Sequence, residues 1–320
     1  MSEKIAFGNI AGLEASRIFF GTAAPPVSTD EESAYTLLDG VLDSGINTFD
    51  CARSYGKAEN VLGKWLESRK CRDNVIILSK CGDVKNGVVK VSRQVILNQL
   101  QQSLEALRVN CIDIYLLHRD DPNTPVEEFI DTLNELKDAG RIKVFGVSNW
   151  THQRIESANN YAASKKITGF QVSSPNYGLA LQVKDLWGGG CVTISGKENA
   201  SARQWYIQNQ MPVVAYSSLG RGFFSGKFKA GNYSAAEHFL DTFAQKGYLC
   251  GENMCRLGRA EELAEKYGVS VPEIAMRYVF SSAMNMFAVV STSSIQRLRM
   301  NIKAANSPLT QNEVEYLEMV

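Results

Sequence analysis

Eight short apolar runs, each ending in a polar cluster and followed by a segment of helical period, narrow the architectures open to this chain. They are RIFFG (17–21), INTFD (46–50), NVIILSK (74–80), IDIYLLH (112–118), KVFGVS (143–148), GFQVS (169–173), PVVAYS (212–217) and FAVVS (287–291). Short runs that are apolar on both faces and bounded by turn residues suit buried parallel strands. Between them the period changes. Leu97, Leu100, Leu104 and Leu107 recur at helical spacing, as do Ile295, Leu298 and Ile302. Start and stop signals frame these segments: Thr29 with Glu32 is spaced as a capping box, Thr124-Pro125 with Glu127 opens a helix that Gly140 would end, and Ser270, Pro272 and Glu273 open another. Strands alternating with helices give an α/β class, and a count of eight predicts a closed (β/α)8 TIM barrel rather than an open sheet. No repeat or Pro-rich linker interrupts the 320 residues, so one domain over 1–320 is expected. The stretches 181–200 and 229–256 read as long loops, which in compact domains are often functional.

Charge excludes some partners. Lys plus Arg and Asp plus Glu are 34 each, so bulk charge favours neither nucleic acid nor an anionic membrane. No apolar run approaches the ~18 residues of a membrane span, and no signal core opens the chain, which leads to an expected cytoplasmic location. The seven scattered cysteines then read as reduced thiols. Three histidines, with Cys250 and Cys255 lacking a matching second pair, give no metal-ligand spacing, and no metal is expected. Oligomeric state is not legible.

In a barrel the carboxyl ends of the strands meet at one face, where chemistry is done. Here those ends are Asp50, Lys80, His118, Ser148, Gln171, Tyr216 and Ser291. Any one of them has a structural explanation: Asp50 as a helix cap, Lys80 as a solvated strand end, His118 as a bonded core histidine, Tyr55 as a surface residue. Together they form a set with a purpose. A tyrosine with a pKa of about 10 is a poor acid at neutral pH. An adjacent ammonium, Lys80, would favour its phenolate, and Asp50 would hold that ammonium charged and in place. His118 would orient a substrate oxygen. Tyr55 is thus a candidate general acid that protonates a developing alkoxide.

The segments GINTFDCARSYG (45–56), NVIILSKCG (74–82) and CIDIYLLHRDDP (111–122) resemble the aldo-keto reductase family through Gly45, Asp50, Ala52, Tyr55, Gly56, Lys80 and His118. The resemblance continues in the family's order through KVFGVSNW, ITGFQVSSPNY, MPVVAYSSLGRGFFSGK and VVSTSSIQRLRMN, nearly the whole chain. It implies a barrel oxidoreductase passing a hydride between a nicotinamide cofactor and a carbonyl compound. Ser148, Asn149 and Gln171 would hold the carboxamide and Tyr216 would stack on the nicotinamide ring. Ser217, Leu219, Gly220 and Arg221 would line the pyrophosphate. Gly21 and Thr22 join the implied cofactor set. Ser291, Thr292, Ser294, Arg297 and Asn301 resemble the adenosine-phosphate site, with Arg297 suited by charge to a 2′-phosphate. Two positions depart from the pattern: Ser291 stands where many relatives carry a lysine, and Met300 where an acid is common. NADP(H) is therefore expected, with NAD(H) possible.

Two other functions compete. A Schiff-base barrel lyase would use Lys80 as nucleophile, although Asp50 favours its charged form. Some relatives in the resembled family are cofactor-binding regulatory β-subunits of potassium channels; this chain keeps all four members of the catalytic set. The expected partner is a small carbonyl compound, such as an aldehyde, ketone or sugar. Trp150, Arg119, Trp187 and Phe224 are candidate lining residues. Arg119, Asp120 and Asp121 beside His118 suggest a polar substrate, and the glycines beside Trp187 suggest a flap.

Overall fold

An antiparallel hairpin, β1 (Phe7–Ile10) and β2 (Leu13–Ser16), precedes the barrel. The structure, a computed structural model, describes residues 6–84 and 89–319. Eight parallel strands then close on themselves: β3 (Ile18–Gly21), β4 (Thr48–Asp50), β5 (Ile76–Cys81), β6 (Ile112–Leu117), β7 (Ile142–Ser148), β8 (Ser173–Ser174), β9 (Val213–Ala215) and β10 (Met286–Val290), which pairs back with β3. The expected (β/α)8 TIM barrel is the observed fold. The period of two is visible in its packing. Ile76, Leu78, Ile114, Leu116, Val144, Val172 and Val214 fill the barrel with Phe19 and Phe287. Their neighbours Ile77, Tyr115, Leu117, Phe145 and Val213 face outward into the helix layer. Ile10 and Ala15 of the hairpin join the inner cluster at the amino ends of the strands. Ser16 and Arg17 fasten that end: the Ser16 hydroxyl is 2.5 Å from that of Thr48, and Arg17 donates to the Met286 carbonyl at 2.7 Å.

The outer layer is α1 (Glu31–Asp43), α2 (Ala58–Arg69), α3 (Arg93–Leu107), α4 (Val126–Asp138), α5 (His152–Lys165), α6 (Ala200–Asn209), α7 (Tyr233–Phe239), α8 (Thr242–Tyr248), α9 (Gly251–Tyr267), α10 (Val271–Phe280), α11 (Ile295–Ala305) and α12 (Gln311–Glu318). Leu100, Leu104 and Leu107 bury the inner face of α3, and Leu298 and Ile302 that of α11. The capping box at α10 forms as expected, with Glu273 accepting from the Ser270 N–H and hydroxyl at 2.9 and 2.8 Å. Gly140 follows the end of α4 at φ 68°, a left-handed position that glycine takes without a Cβ penalty.

Three expectations change. α1 is capped by Asp30, whose carboxylate accepts from Ser33 N, while the Thr29 hydroxyl turns back to the Pro26 carbonyl. The run 169–173 contributes only Ser173 to the strand Ser173–Ser174, so Gln171 precedes the strand instead of ending it. The stretch 229–256 is not a loop: it holds α7, α8 and the start of α9, the first two capped by Asn232 and Asp241. The segment 181–200 does lack regular elements apart from a single turn at Lys197–Asn199 and the first residue of α6, Ala200. Among the described residues no helix is long and apolar enough to cross a membrane.

Candidate active site

A cleft of about 1960 Å³ opens at the carboxyl ends of the strands. Its floor is built by neighbouring strands. Asp50 ends β4, Lys80 is the penultimate residue of β5, and the register places Asp50 opposite Leu78, so the two side chains meet. Lys80 Nζ donates to Asp50 Oδ1 at 2.5 Å, to the Cys51 carbonyl at 2.9 Å and to the Tyr55 hydroxyl at 3.2 Å. All three donors of the ammonium are thus engaged. Tyr55 sits in the turn between β4 and α2, its ring 4.8 Å from Lys80 Nζ and edge-on to the His118 ring at 5.9 Å. Asp50, Tyr55, Lys80 and His118 therefore converge as the sequence indicates.

The electrostatics differ from expectation at one point. Lys80 acts on the Tyr55 pKa in the expected direction, downward, but it does not set the outcome. Burial instead pushes the phenol up to about 12, and the Lys80 ammonium opposes this without overcoming it. Tyr55 accordingly holds its proton at neutral pH. Burial also raises the Asp50 carboxyl, against the pull of Lys80. For Lys80 burial acts downward, but the Asp50 and Tyr55 oxygens outweigh it, so the ammonium is raised and stays charged. Burial, opposed by Asp83 and reinforced by Lys80 and Arg119, brings His118 down to about 3, leaving a neutral imidazole.

The wall of the cleft carries many of the expected cofactor residues. Ser148 donates to the Ser174 carbonyl at 2.8 Å and accepts from Asn149, whose Oδ1 takes the Tyr216 hydroxyl at 2.7 Å. Ser217, Leu219 and Arg221 line the next stretch, and Ser217 and Arg221 have φ of 54° and 50°. A turn with such left-handed residues frees backbone N–H groups for an anion. Gly21, Ser291, Thr292, Arg297, Met300 and Asn301 complete the far end. Gly21 is required there, because a Cβ would lie 2.5 Å from Ser291 Oγ. The Ser291 hydroxyl donates to the Gly21 carbonyl, closing β10 onto β3. Arg297 is held over this end by Thr292 and Ser293 at 3.2 and 3.3 Å.

Four residues of the expected set stand behind the lining. Thr22 is buried and donates to the Asp50 carbonyl. Gly220, at φ 58°, packs against Ala180 and shapes the turn that presents Arg221. Ser294 caps α11, accepting from Arg297 N. Gln171 lies outside the cleft, because the strand continues to Ser174 and it is Ser174 that reaches the lining; the Gln171 amide oxygen is buried with no partner among the described residues.

The candidate substrate wall also divides. Arg119 and Trp187 line the cleft. Trp150 and Phe224 do not: Trp150 is packed between Phe129 and Phe170 at 5.4 and 5.2 Å, and Phe224 is fully buried beside Phe223. Asp120 is drawn off by Arg154, and Asp121 accepts from Val91 N and Asn123 N, so of the charged trio only Arg119 faces the cleft. The Trp187 indole lies between two guanidiniums, Arg119 and Arg221, each 5.6 Å from its ring. The loop carrying it is tied. Asp185 accepts from Trp187 N, Gly188 N and Cys191 N, and such N–H groups hold its carboxyl down to about 2 despite burial. Asp83, Asp185 and Ser174 carry no motif in the sequence; only the folded geometry brings them to the site.

A closed parallel barrel with Asp50, Lys80 and His118 buried and Tyr55 half-buried at its carboxyl face has the architecture of the barrel enzymes. The chain belongs to the aldo/keto reductase family, whose model matches residues 17–320. It is 27% identical over 318 residues to an aldo-keto reductase of Strobilurus tenacellus, covering 97% of this chain and 86% of that one. It is 30% identical over 284 residues to an aldo-keto reductase of Bacillus subtilis strain 168, with 84% and 78% covered. An aldo-keto reductase of Emericella nidulans is 29% identical over 308 residues, with 92% and 73% covered.

Proposed function

We propose that the protein reduces a small carbonyl compound to its alcohol with NADP(H), accepting NAD(H) less readily. The observation that carries this reading is the Lys80 ammonium bonded at once to Asp50 and Tyr55 on the floor of the cleft. A reduced nicotinamide bound along the wall would supply the hydride. The lining suits such a group: Ser148 and Asn149 place a hydroxyl and an amide on the wall, bonded there to Ser174, His118 and each other, the turn from Ser217 to Arg221 offers backbone N–H groups, and Arg297 offers a guanidinium. Without an acidic side chain at Met300 or a lysine at Ser291, discrimination of the 2′-phosphate rests on Arg297.

Tyr55 retains its proton until the carbonyl oxygen gains charge and then releases it to that oxygen. The Lys80 ammonium, fixed by Asp50, stabilises the phenolate left behind. Lys80 is poorly suited to act as a Schiff-base nucleophile, since its three donors are engaged and the Asp50 and Tyr55 oxygens keep it charged against the effect of burial. Tyr55→Phe tests the assignment. Turnover should fall by about 10²–10⁴-fold, the usual contribution of a positioned acid, while NADPH affinity stays within about twofold. Retention of most of the activity would remove Tyr55 from this role.

A further inference from the structure

Asp83, three residues beyond Lys80, places its carboxylate against two consecutive residues at the end of β6. Its Oδ2 lies 3.5 Å from His118 Nδ1 and its Oδ1 3.3 Å from Arg119 Nε. Both nitrogens are buried, and neither makes a well-aligned hydrogen bond among the described residues. Two buried nitrogens thus converge on one anion. Arg119 can only donate. A neutral imidazole nitrogen beside a carboxylate is favoured when it carries the proton, since two lone pairs would otherwise face each other.

We infer that Asp83 is a positioning residue for His118: it holds the neutral ring as the Nδ1–H tautomer and so leaves Nε2 in the cleft as an acceptor. The inference rests on the reading of the site given above. The other groups facing the ring are the Lys80 ammonium, the Arg119 guanidinium and the Tyr55 edge, and the two cations act against protonating it a second time. An acceptor nitrogen cannot donate to a carbonyl oxygen. Toward the carbonyl, Tyr55 carries the donor role. The ligand oxygen resting on His118 is then a hydroxyl, either that of the alcohol form or one neighbouring the carbonyl. A site built to accept from a hydroxyl discriminates against analogues that lack it, because its own polar group is left unpaired.

The tautomer can be read directly by long-range ¹H–¹⁵N correlation on protein labelled in its three histidines, His118, His152 and His238. The His118→Gln variant removes one set of signals and assigns them. Wild-type protein should show His118 with Nδ1 protonated and Nε2 bare. In Asp83→Asn the amide has one acceptor oxygen, which Arg119 requires, so its NH₂ turns to His118 and the pattern inverts to Nε2–H. In Asp83→Ala the acceptor is gone, and the ring should take the Nε2–H form that free histidine favours. A wild-type ring protonated at Nε2, or one averaging between the two forms, overturns the inference. Persistence of Nδ1–H in both folded variants does the same. Should the variants fail to fold, the wild-type spectrum decides alone. The readout requires no turnover, so a failure of Tyr55 as acid would leave it untouched and would be recognised separately.

Discussion

Lys80→Met keeps the length of the side chain and removes its charge, which makes it the sharpest probe of the floor of the cleft. In the native protein Lys80 Nζ is 2.5 Å from Asp50 Oδ1, with the two side chains 3% and 5% exposed. Removing one partner of such a buried pair costs about 3–5 kcal/mol, because the remaining charge is left without compensation. That is roughly two to four powers of ten in the folding equilibrium. The cost should depend on pH in a defined direction. Burial already raises the Asp50 pKa, and Lys80 is what opposes it. Without the ammonium the folded carboxyl is raised further above its unfolded value of about 3.9. A group raised in the folded state contributes stability below its unfolded pKa and loses it as pH rises through the folded one. The deficit relative to wild type should therefore be small near pH 4 and widen toward neutrality, with a slope of up to about 1.4 kcal/mol per pH unit. Urea unfolding of both proteins across pH 4–8 measures it. A double Asp50→Leu, Lys80→Met variant should recover most of the stability and none of the turnover, since apolar replacement of a buried pair is often neutral. A deficit that does not change with pH, or a single variant as stable as wild type at pH 8, would refute an ionised Asp50 compensated by Lys80.

Trp150→Ala should cost about 3–5 kcal/mol in urea unfolding while leaving the KM of the folded fraction unchanged, because Trp150 packs between Phe129 and Phe170 and does not line the cleft. A KM shift without a stability loss would return it to the substrate wall. Gly146→Ala should destabilise by about 1–3 kcal/mol or more, since its Cβ would fall 2.0 Å from the Val172 carbonyl oxygen where β7 meets β8; wild-type stability would contradict that crossing. Arg297→Ala should weaken NADPH more than NADH in fluorescence titration, by about tenfold, on the order of one charge-assisted hydrogen bond. Equal losses for both would move the 2′-phosphate elsewhere.

The barrel strands are legible because strands buried on both faces must be apolar throughout, and polar residues such as Asp50 and Ser148 mark where they end. β8 is the exception. Only Ser173 and Ser174 pair as strand, and the sequence around them carries the same β-type residues whether or not they pair. The helices of 233–248 are hidden for another reason: each has seven residues, too few for a period of 3.6 to establish itself between polar neighbours. Asp50, Tyr55, Lys80 and His118 stand out in the sequence because their residue types form a chemical set. Asp83 does not, since its meeting with His118 spans 35 positions and depends on how the turn after β5 reaches over to β6. Trp150 and Phe224 show the opposite error. An aromatic residue near a strand end has the same appearance in sequence whether it faces a ligand or the helix layer, and packing against Phe129, Phe170 and Phe223 decides.

The hairpin of β1 and β2 gives the barrel a foot. Ile10 and Ala15 stopper the amino end above an interior filled by Phe19, Ile114, Leu116, Val214 and Phe287, none of which can pass a proton along. On the proposed reading, a proton given up by Tyr55 would be replaced through the mouth of the cleft, the same opening that would admit ligands. A ligand filling that mouth would then stand between the tyrosine and bulk water. The acid would then deliver one proton per loading of the site, and its replacement would wait for product to leave. Recharging the acid and clearing the cleft would become a single event in the cycle.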